Sequence, residues 1–561
     1  MTRPTAVPIL LGSFAIFLCW LAPGHYYPWI TFQNEFVAAI AGLLFGVAAV
    51  VAGRNGLAWP RMATFAALMT LVPLIQLLSG QINFVSDGVL VLLYLFALAA
   101  AIAVGAALAQ TQRQPFLDGI FGALLAAGIV SVGLACIQWL GLGPVGYVPW
   151  IPTGERPYAN LGQPNHLASL LALAMLGGLW LYETRRIGVT TLALIVAWLI
   201  LGIVMTRSRM VWIAAIVVAC GWFFLSRRTA TRLGPKGLIG FIAALAVGVV
   251  LWGPLSEWIG TVAPVSVADR VQGGGGRIRI WTALTDALFA SPWVGYGWSQ
   301  VSRAGLVGSL DHFTGESMLR NSHSLPLDLL IWNGIPIGLL TIGVLVWWLI
   351  RQARLCNSAE RGVVLAAVVV VTVHATFEFP LEYLYFLVPT GLLVGALEVW
   401  DDTSPAPTVP RGAVAALLAA LAGMTVWVGV EYMRVEEGSR DNRMLAARYS
   451  RSAALPDVLL LDEPREYMKF WRTQAREGMS APELDWMRRI AERNPAPPTL
   501  LRYATALGLN GQPAGSARTL VQLCNMHRPE RCEEGRKSWA QLQVNFPVLG
   551  AIAYPRSPAL P

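Results

Sequence analysis

The chain has 561 residues, 55% of them hydrophobic and 13% charged, with a mean hydropathy of +0.56. Soluble globular domains carry about 25% charged residues, so an apolar excess over this length excludes a single soluble core and implies many membrane spans. The net charge of +9 lies largely in short loops, a pattern that sets topology and gives no support to nucleic acid as a partner.

Apolar segments long enough to cross a bilayer, or nearly so, occur near 7–23, 36–53, 62–79, 86–109, 116–140, 167–183, 188–205, 210–225, 237–254, 326–349, 361–377, 381–399 and 412–430. The first runs into Trp20 and Pro23 with no small-residue cleavage pattern, so it reads as a retained span. Placing the N-terminus in the cytoplasm puts Arg54, Arg61, Arg113, Arg185, Arg186, Arg227, Arg228, Arg232, Lys236, Arg351, Arg354, Arg361 and Arg411 in inside loops. The short outside loops 24–35, 80–85 and 378–380 hold no Lys or Arg. This alternation follows the positive-inside rule, and an odd span count puts the C-terminal tail outside, in the periplasm of a Gram-negative cell.

The tail is compositionally distinct. Of the 73 charged residues, 34 fall in Glu431–Pro561. Prolines there punctuate short amphipathic helices at about 431–450, 463–477, 481–493, 498–509, 513–526 and 530–543. Helical hairpins of this size resemble tetratricopeptide stacking, without a clean 34-residue signature. The fold expected is therefore all-α: a polytopic membrane protein of about 13 transmembrane helices, with a long periplasmic loop and a C-terminal helical, TPR-like periplasmic domain. Its parts are N-terminal spans at 1–254, a periplasmic loop at 255–325, C-terminal spans at 326–430 and the tail at 431–561.

Four cysteines (Cys19, Cys136, Cys220 and Cys356) fall in or beside spans, where they read as small core hydrophobes. Cys524 and Cys532 lie in the tail and could bridge in an oxidising compartment, the alternative being two unpaired helix cysteines. No CxxC or Cys/His cluster suggests a metal.

Basic residues break the topological pattern in three places. Arg156 sits in the outside loop 141–166. Arg207 and Arg209 stand at the outer end between two spans. Arg270, Arg277, Arg279, Arg303 and Arg320 lie in the long outside segment. Any one of them reads equally as a headgroup or structural pairing, but several on one face point to an anionic ligand at the outer leaflet. The long segment contains the flexible run 273–276, then GRIRIW with helical spacing and the turn-rich SPWVGYGW at 291–298.

Four blocks carry a resemblance. They are RPYANLGQPNHLASLLAL (156–173), TRSR (206–209), NSHSLPLDLLIWNGIPIGLL (321–340) and HATFEFPLEYLYFLVP (374–389). In order, spacing and placement they resemble the bacterial protein O-oligosaccharyltransferases, the PglL-like ligases of the O-antigen ligase and polymerase superfamily. One departure is Ser324, where the family often has Asn after the loop histidine. The resemblance implies transfer of a glycan en bloc from undecaprenyl pyrophosphate to Ser or Thr of an exported protein such as a pilin. It implies no cofactor, and the partners are the lipid-linked oligosaccharide, the acceptor protein and membrane lipid.

That reaction needs a group to take the acceptor's proton and positive charge for the leaving pyrophosphate. Guanidinium groups suit the second task, staying charged and binding phosphate bidentately. Arg209 and Arg277 are the first candidates, with Arg156 and Arg207 behind them. His323 is the candidate general base, against a reading in which it only caps the helix beginning near Pro326. Asn160, Gln163, Asn165 and His166 suit sugar or donor binding, or simply hold a loop. Glu378, one helical turn from His374, suits structural pairing with it or with an arginine. No outside cluster has metal-ligand spacing, so a metal-independent reaction is expected. The competing readings are an O-antigen ligase to lipid A core, a polymerase, a flippase and a docking scaffold. Polar residues gathered at the outer face, with no internal repeat, disfavour the flippase.

Overall fold

The structure, a computed structural model, describes residues 3–23, 27–53, 56–143, 149, 151–152, 155–260, 275–315, 319–401, 407–449 and 454–556. His25, Arg54, Arg270 and residues 273–274 of the glycine run lie outside the described residues. The chain forms two compact units, Met1–Thr70 with Leu93–Val265 and Val346–Gly429, and Leu71–Leu92 with Ser266–Leu345 and Val430–Pro561.

The helices in chain order are α1 (Arg3–Leu21), α2 (Phe32–Ala52), α3 (Arg61–Met69), α4 (Leu71–Leu78), α5 (Val85–Trp139), α6 (Pro164–Glu183), α7 (Val189–Thr206), α8 (Met210–Arg228) and α9 (Pro235–Ile259). There follow α10 (Gly275–Ala290), α11 (Val301–Gly308), α12 (Leu325–Leu355), α13 (Ala359–Ala375), α14 (Leu384–Glu398) and α15 (Arg411–Ala446). The tail adds α16 (Asp462–Arg472), α17 (Ala481–Arg493), α18 (Pro497–Leu509), α19 (Pro513–Met526) and α20 (Pro529–Asn545). The all-α expectation holds, apart from one short antiparallel pair, Leu57–Ala58 with Thr408–Val409.

Nine helices among the described residues are long and apolar enough to cross a membrane, and the shorter Thr5–Leu21 and Leu384–Glu398 are also apolar. One of the nine, α5, is 55 residues long and merges two expected spans across a break at Gln112, three residues before Pro115. The last span and the first expected tail helix are likewise one 36-residue helix, α15. The sequence EYMRVEEGSRDNRMLA, rich in Glu, Arg and Met, gives no reason to stop at the end of the apolar run.

In the first unit, small residues let helices touch backbone to backbone. A Cβ on Gly105 would lie 2.0 Å from the Leu392 carbonyl oxygen, and one on Gly395 the same distance from that of Ile102. Glycine on both sides is what allows α5 and α14 to pack this closely in an apolar solvent.

In the second unit, the described part of the long loop shares a core with the tail. Leu284, Val301 and Ala304 pack in one cluster with Leu500, Leu523 and Met526. Asp462, at the start of α16, accepts from the backbone N–H groups of Val85 (3.1 Å) and Ser86 (2.8 Å), satisfying orphan donors at the start of α5. Ser480 and Glu483 form a capping box for α17. The Ser480 N–H and the neighbouring Arg476 hold the Glu483 carboxyl down to about 2. Cys524 and Cys532 are bonded. His527 is buried and its Nε2–H donates to the Pro495 carbonyl at 2.8 Å. Burial pushes its ring down to about 4.

Candidate functional site

In the first unit the RPYANLGQPNH segment is folded around Asn165. The Asn165 Oδ1 accepts from the Arg156 guanidinium (2.9 Å) and the Ser208 hydroxyl (2.9 Å), and its Nδ2 donates to Glu378 Oε1 (3.2 Å). One carboxamide thus ties the 156 loop, the 206–209 turn and the bend that follows α13. Arg156 also donates through Nε to the Thr206 carbonyl at 2.6 Å. That carbonyl ends α7, so the cation meets the negative end of a helix.

The 206–209 turn is built for tight reversal. Arg207 caps α7 with φ +48° and Arg209 precedes α8. A non-glycine residue in the left-handed region is uncommon and is held there by its surroundings. Ser208 is buried, Arg207 half-buried and Arg209 exposed. The structure therefore brings Arg156 to the turn that carries Arg207 and Arg209.

The neighbouring polar residues are largely structural. Gln163 caps α6, its side chain accepting from the His166 N–H at 2.9 Å. The His166 ring is buried, hydrogen-bonded to the Tyr385 hydroxyl (2.8 Å) and edge-on to Tyr383 and Phe386. Asn160 donates to the Leu21 carbonyl at 3.0 Å. His374 bonds the Ser169 hydroxyl at 2.8 Å, so of the two residues one turn apart only Glu378 reaches the Asn165 hub.

Sequence reasoning missed the residue that holds this loop. Gln138, 4% exposed at the end of α5, uses its whole carboxamide. Its Oε1 accepts from Tyr158 N–H (3.0 Å) and Ala159 N–H (2.8 Å). Its Nε2 donates to the carbonyls of Ala159 (2.9 Å) and Pro149 (3.3 Å). Ala159 has φ +53°, a strained conformation for alanine. A glutamine inside the apolar run ACIQWL was the available signal, since polar groups in a span are costly without partners.

His323 and Arg277 belong to the second unit. His323 is half-buried with φ +57°. Its mount is a knot of hydrogen bonds. The Ser322 N–H donates to the buried Asp328 carboxylate (2.9 Å), and the Ser322 hydroxyl donates to the Ser324 carbonyl (2.9 Å). The Ser324 N–H returns to the Ser322 hydroxyl (3.2 Å). The Trp281 indole donates to the Ser322 carbonyl at 2.8 Å. Arg277 is half-buried and lies one helical turn before Trp281 on α10, the spacing that puts two side chains on one face. The left-handed backbone at His323 turns the chain just before α12. Ser324 contributes through its backbone groups. Asp328 and Trp281 were not singled out in the sequence.

Among the described residues no group of three His, Cys, Asp or Glu gathers as a metal site would require. The arrangement instead offers guanidinium groups at one turn and, in the other unit, a histidine on a rigid loop.

Comparison with known proteins matches three family models to this chain. Residues 157–182 match a protein glycosylation ligase model, 194–342 an O-antigen ligase model, and 363–542 the C-terminal part of a virulence factor membrane-bound polymerase model. A general O-oligosaccharyltransferase of Acinetobacter baylyi is 28% identical over 538 residues, covering 93% of each chain. A ComP-specific O-oligosaccharyltransferase of the same organism is 29% identical over 248 residues, 43% of each chain.

Proposed function

We infer that the chain belongs to the PglL-like O-oligosaccharyltransferases of the O-antigen ligase superfamily, and from that premise propose that it moves a glycan en bloc from undecaprenyl pyrophosphate to Ser or Thr of periplasmic proteins, pilin-like ones among them. The observation that carries this reading is the likeness to a general O-oligosaccharyltransferase over 93% of both chains. In this reading about thirteen spans set the N-terminus in the cytoplasm and the tail in the periplasm of the inner membrane. The Cys524–Cys532 bond supports an oxidising compartment for the tail.

The reaction forms a bond from the acceptor hydroxyl oxygen to the anomeric carbon and breaks the bond from that carbon to the pyrophosphate oxygen. His323 takes the hydroxyl proton, and undecaprenyl pyrophosphate leaves with the electron pair. Arg209 and Arg277 hold its developing charge, with Arg207 and Arg156 in support. Asn160, Gln163, Asn165, His166 and Glu378 keep the loop and turn in place. Fixed cations at the leaving group need no reorganisation during the step, and no metal is required.

The test is transfer of a lipid-linked glycan to a purified pilin by wild type and His323→Ala, with EDTA present and folding checked by thermal melting in detergent. Loss of transfer by a folded His323→Ala protein, with wild type active in EDTA, is the expected result. Normal transfer by the variant overturns the role of His323. The match of 363–542 to a polymerase model favours a second reading, glycan polymerisation or ligation to lipid A core. A wild-type enzyme that extends glycan or modifies lipid but leaves protein untouched would establish that branch instead.

A further inference from the structure

The segment joining α10 to α11 exposes large apolar side chains. Trp293 is 75% exposed and Val294 61%, and Phe289 at the end of α10 is 66% exposed. No charged residue occurs between Asp286 and Arg303. An uncharged apolar surface of this kind marks an interaction site.

Its neighbours in the second unit indicate what covers it. Gln81, just beyond α4, donates to the carbonyls of Val294 (3.2 Å) and Gly295 (3.0 Å). Gln76, buried on α4, accepts from the Trp298 N–H (3.0 Å) and donates to the Trp332 carbonyl (2.8 Å). The segment is thus pinned to the end of an apolar span whose open face carries Ile75 and Leu78, 64% and 79% exposed. It also crosses α12 at Gly334, where a Cβ would lie 2.5 Å from the Trp293 carbonyl carbon, and the Ile335 N–H donates to the Pro292 carbonyl at 2.7 Å. Gly334 has φ +76° and breaks α12.

Helix length gives the level of that crossing. From Gly334 to Arg351, the first basic residue of α12, the helix rises about 26 Å at about 1.5 Å per residue, close to the ~30 Å hydrocarbon core. Arg61 to Leu78 spans the same rise. Each rise is about that of a full crossing, so Gly334 and Leu78 each close an apolar run at the end opposite its arginine. Tryptophan is favoured at that depth, its ring in the apolar edge and its N–H among headgroups.

We propose that Phe289, Trp293 and Val294 form an apolar blade seated in the headgroup boundary of the bilayer, anchoring α10 to the lipid surface. The occupant is bilayer lipid, because the blade continues the open face of a span and has no charge with which to select a protein. The blade keeps the helix bearing Arg277 and Arg279 at the level where a lipid-linked anion presents its phosphates. The anchoring itself stands apart from the transfer reaction.

The test is fluorescence depth measurement on the full chain in nanodiscs. Trp293→Cys, and separately Phe289→Cys, is labelled with an environment-sensitive NBD probe in a background lacking Cys19, Cys136, Cys220 and Cys356, with Cys524–Cys532 left oxidised. Blue-shifted emission, quenched several-fold more by shallow nitroxide lipids than by an aqueous nitroxide, is expected at both positions. Stronger quenching from the aqueous phase overturns the proposal. So does protection that develops only when acceptor protein is added, which would assign the blade to a protein partner. No glycan donor enters the measurement, so its failure is distinct from failure of the transfer reading.

Discussion

Arg493 of α17 places Nε 2.9 Å from the carboxylate of Asp87 in the first turn of α5; Asp87 is buried and Arg493 half-buried, their side chains 6% and 14% exposed. Asp87 accepts from Gln300 as well, at 3.2 Å. Removing one partner of a buried pair strands the other charge, which costs about 3–5 kcal/mol. Arg493→Ala is expected to lower the melting temperature of the detergent-solubilised chain markedly. Arg493→Leu with Asp87→Asn recovers much of that loss, because no charge is then left unpaired. A single variant as stable as wild type would show that the pair contributes little.

The Cys524–Cys532 bond closes a short loop, with a sequence separation of 8. Loop-closure entropy for that length corresponds to about 2–3 kcal/mol. Because Cys524 and Cys532 sit in the core that the tail shares with α10 and α11, replacing both by serine is expected to loosen α10 as well as the tail. Hydrogen exchange of residues 275–308 in the double variant would report this directly, as reduced protection there relative to wild type.

Much of the architecture is legible in the sequence because membrane spans announce themselves by length and hydropathy. Each apolar segment from 7–23 to 412–430 falls on a helix. Where two helices join, hydropathy gives no sign: α15 crosses from its apolar to its charged half with no break at residue 430. Arg156, Arg207 and Arg209 are conspicuous in the sequence because they stand against a topological bias. Their surroundings are not, because Gln138 and Ser208 are ordinary residue types whose meaning lies in what they touch. Nor does local periodicity reveal that Leu284 and Leu523 share one core.

Arg156 makes two bonds in different directions, to Thr206 O and Asn165 Oδ1. A lysine keeps the charge but has no planar fork to reach both. Arg156→Lys is therefore expected to lose tenfold or more in kcat/KM. Hydrogen bonds from charged groups are worth about 1.5–3 kcal/mol. Asn165→Ala should be as damaging, since it removes one hydrogen bond from each of Arg156, Ser208 and Glu378. Initial rates against donor concentration check both, and full activity of Arg156→Lys would reduce the residue to a point charge.

Gln138→Leu preserves size but leaves the N–H groups of Tyr158 and Ala159 and the Ala159 carbonyl without their partner. Each buried unsatisfied group costs about 1–3 kcal/mol. The strained Ala159 backbone is expected to relax and carry Arg156 and Asn160 out of place. At a temperature where the variant is still folded, kcat/KM should fall at least tenfold. Gln138→Glu, which keeps the acceptor oxygen for both N–H groups, should fall between the variant and wild type. Equal activity of all three would make Gln138 a residue of stability alone.

The buried His527 ring gives the tail a pH dependence whose sign follows from its environment. Burial holds the folded ring down to about 4, whereas an unfolded histidine titrates near 6.5. Between these values the unfolded chain binds a proton that the folded chain refuses, so stability falls as pH drops from about 6.5 to about 4 and levels off below. The difference corresponds to at most about 3.5 kcal/mol, at about 1.4 kcal/mol per pH unit. Above pH 7 this group contributes no slope. Thermal melts of the full chain in detergent from pH 4 to pH 8 should show that decline. His527→Asn, whatever its absolute stability, should show a shallower one across the same window. An unchanged slope in the variant would place the acid sensitivity in other groups.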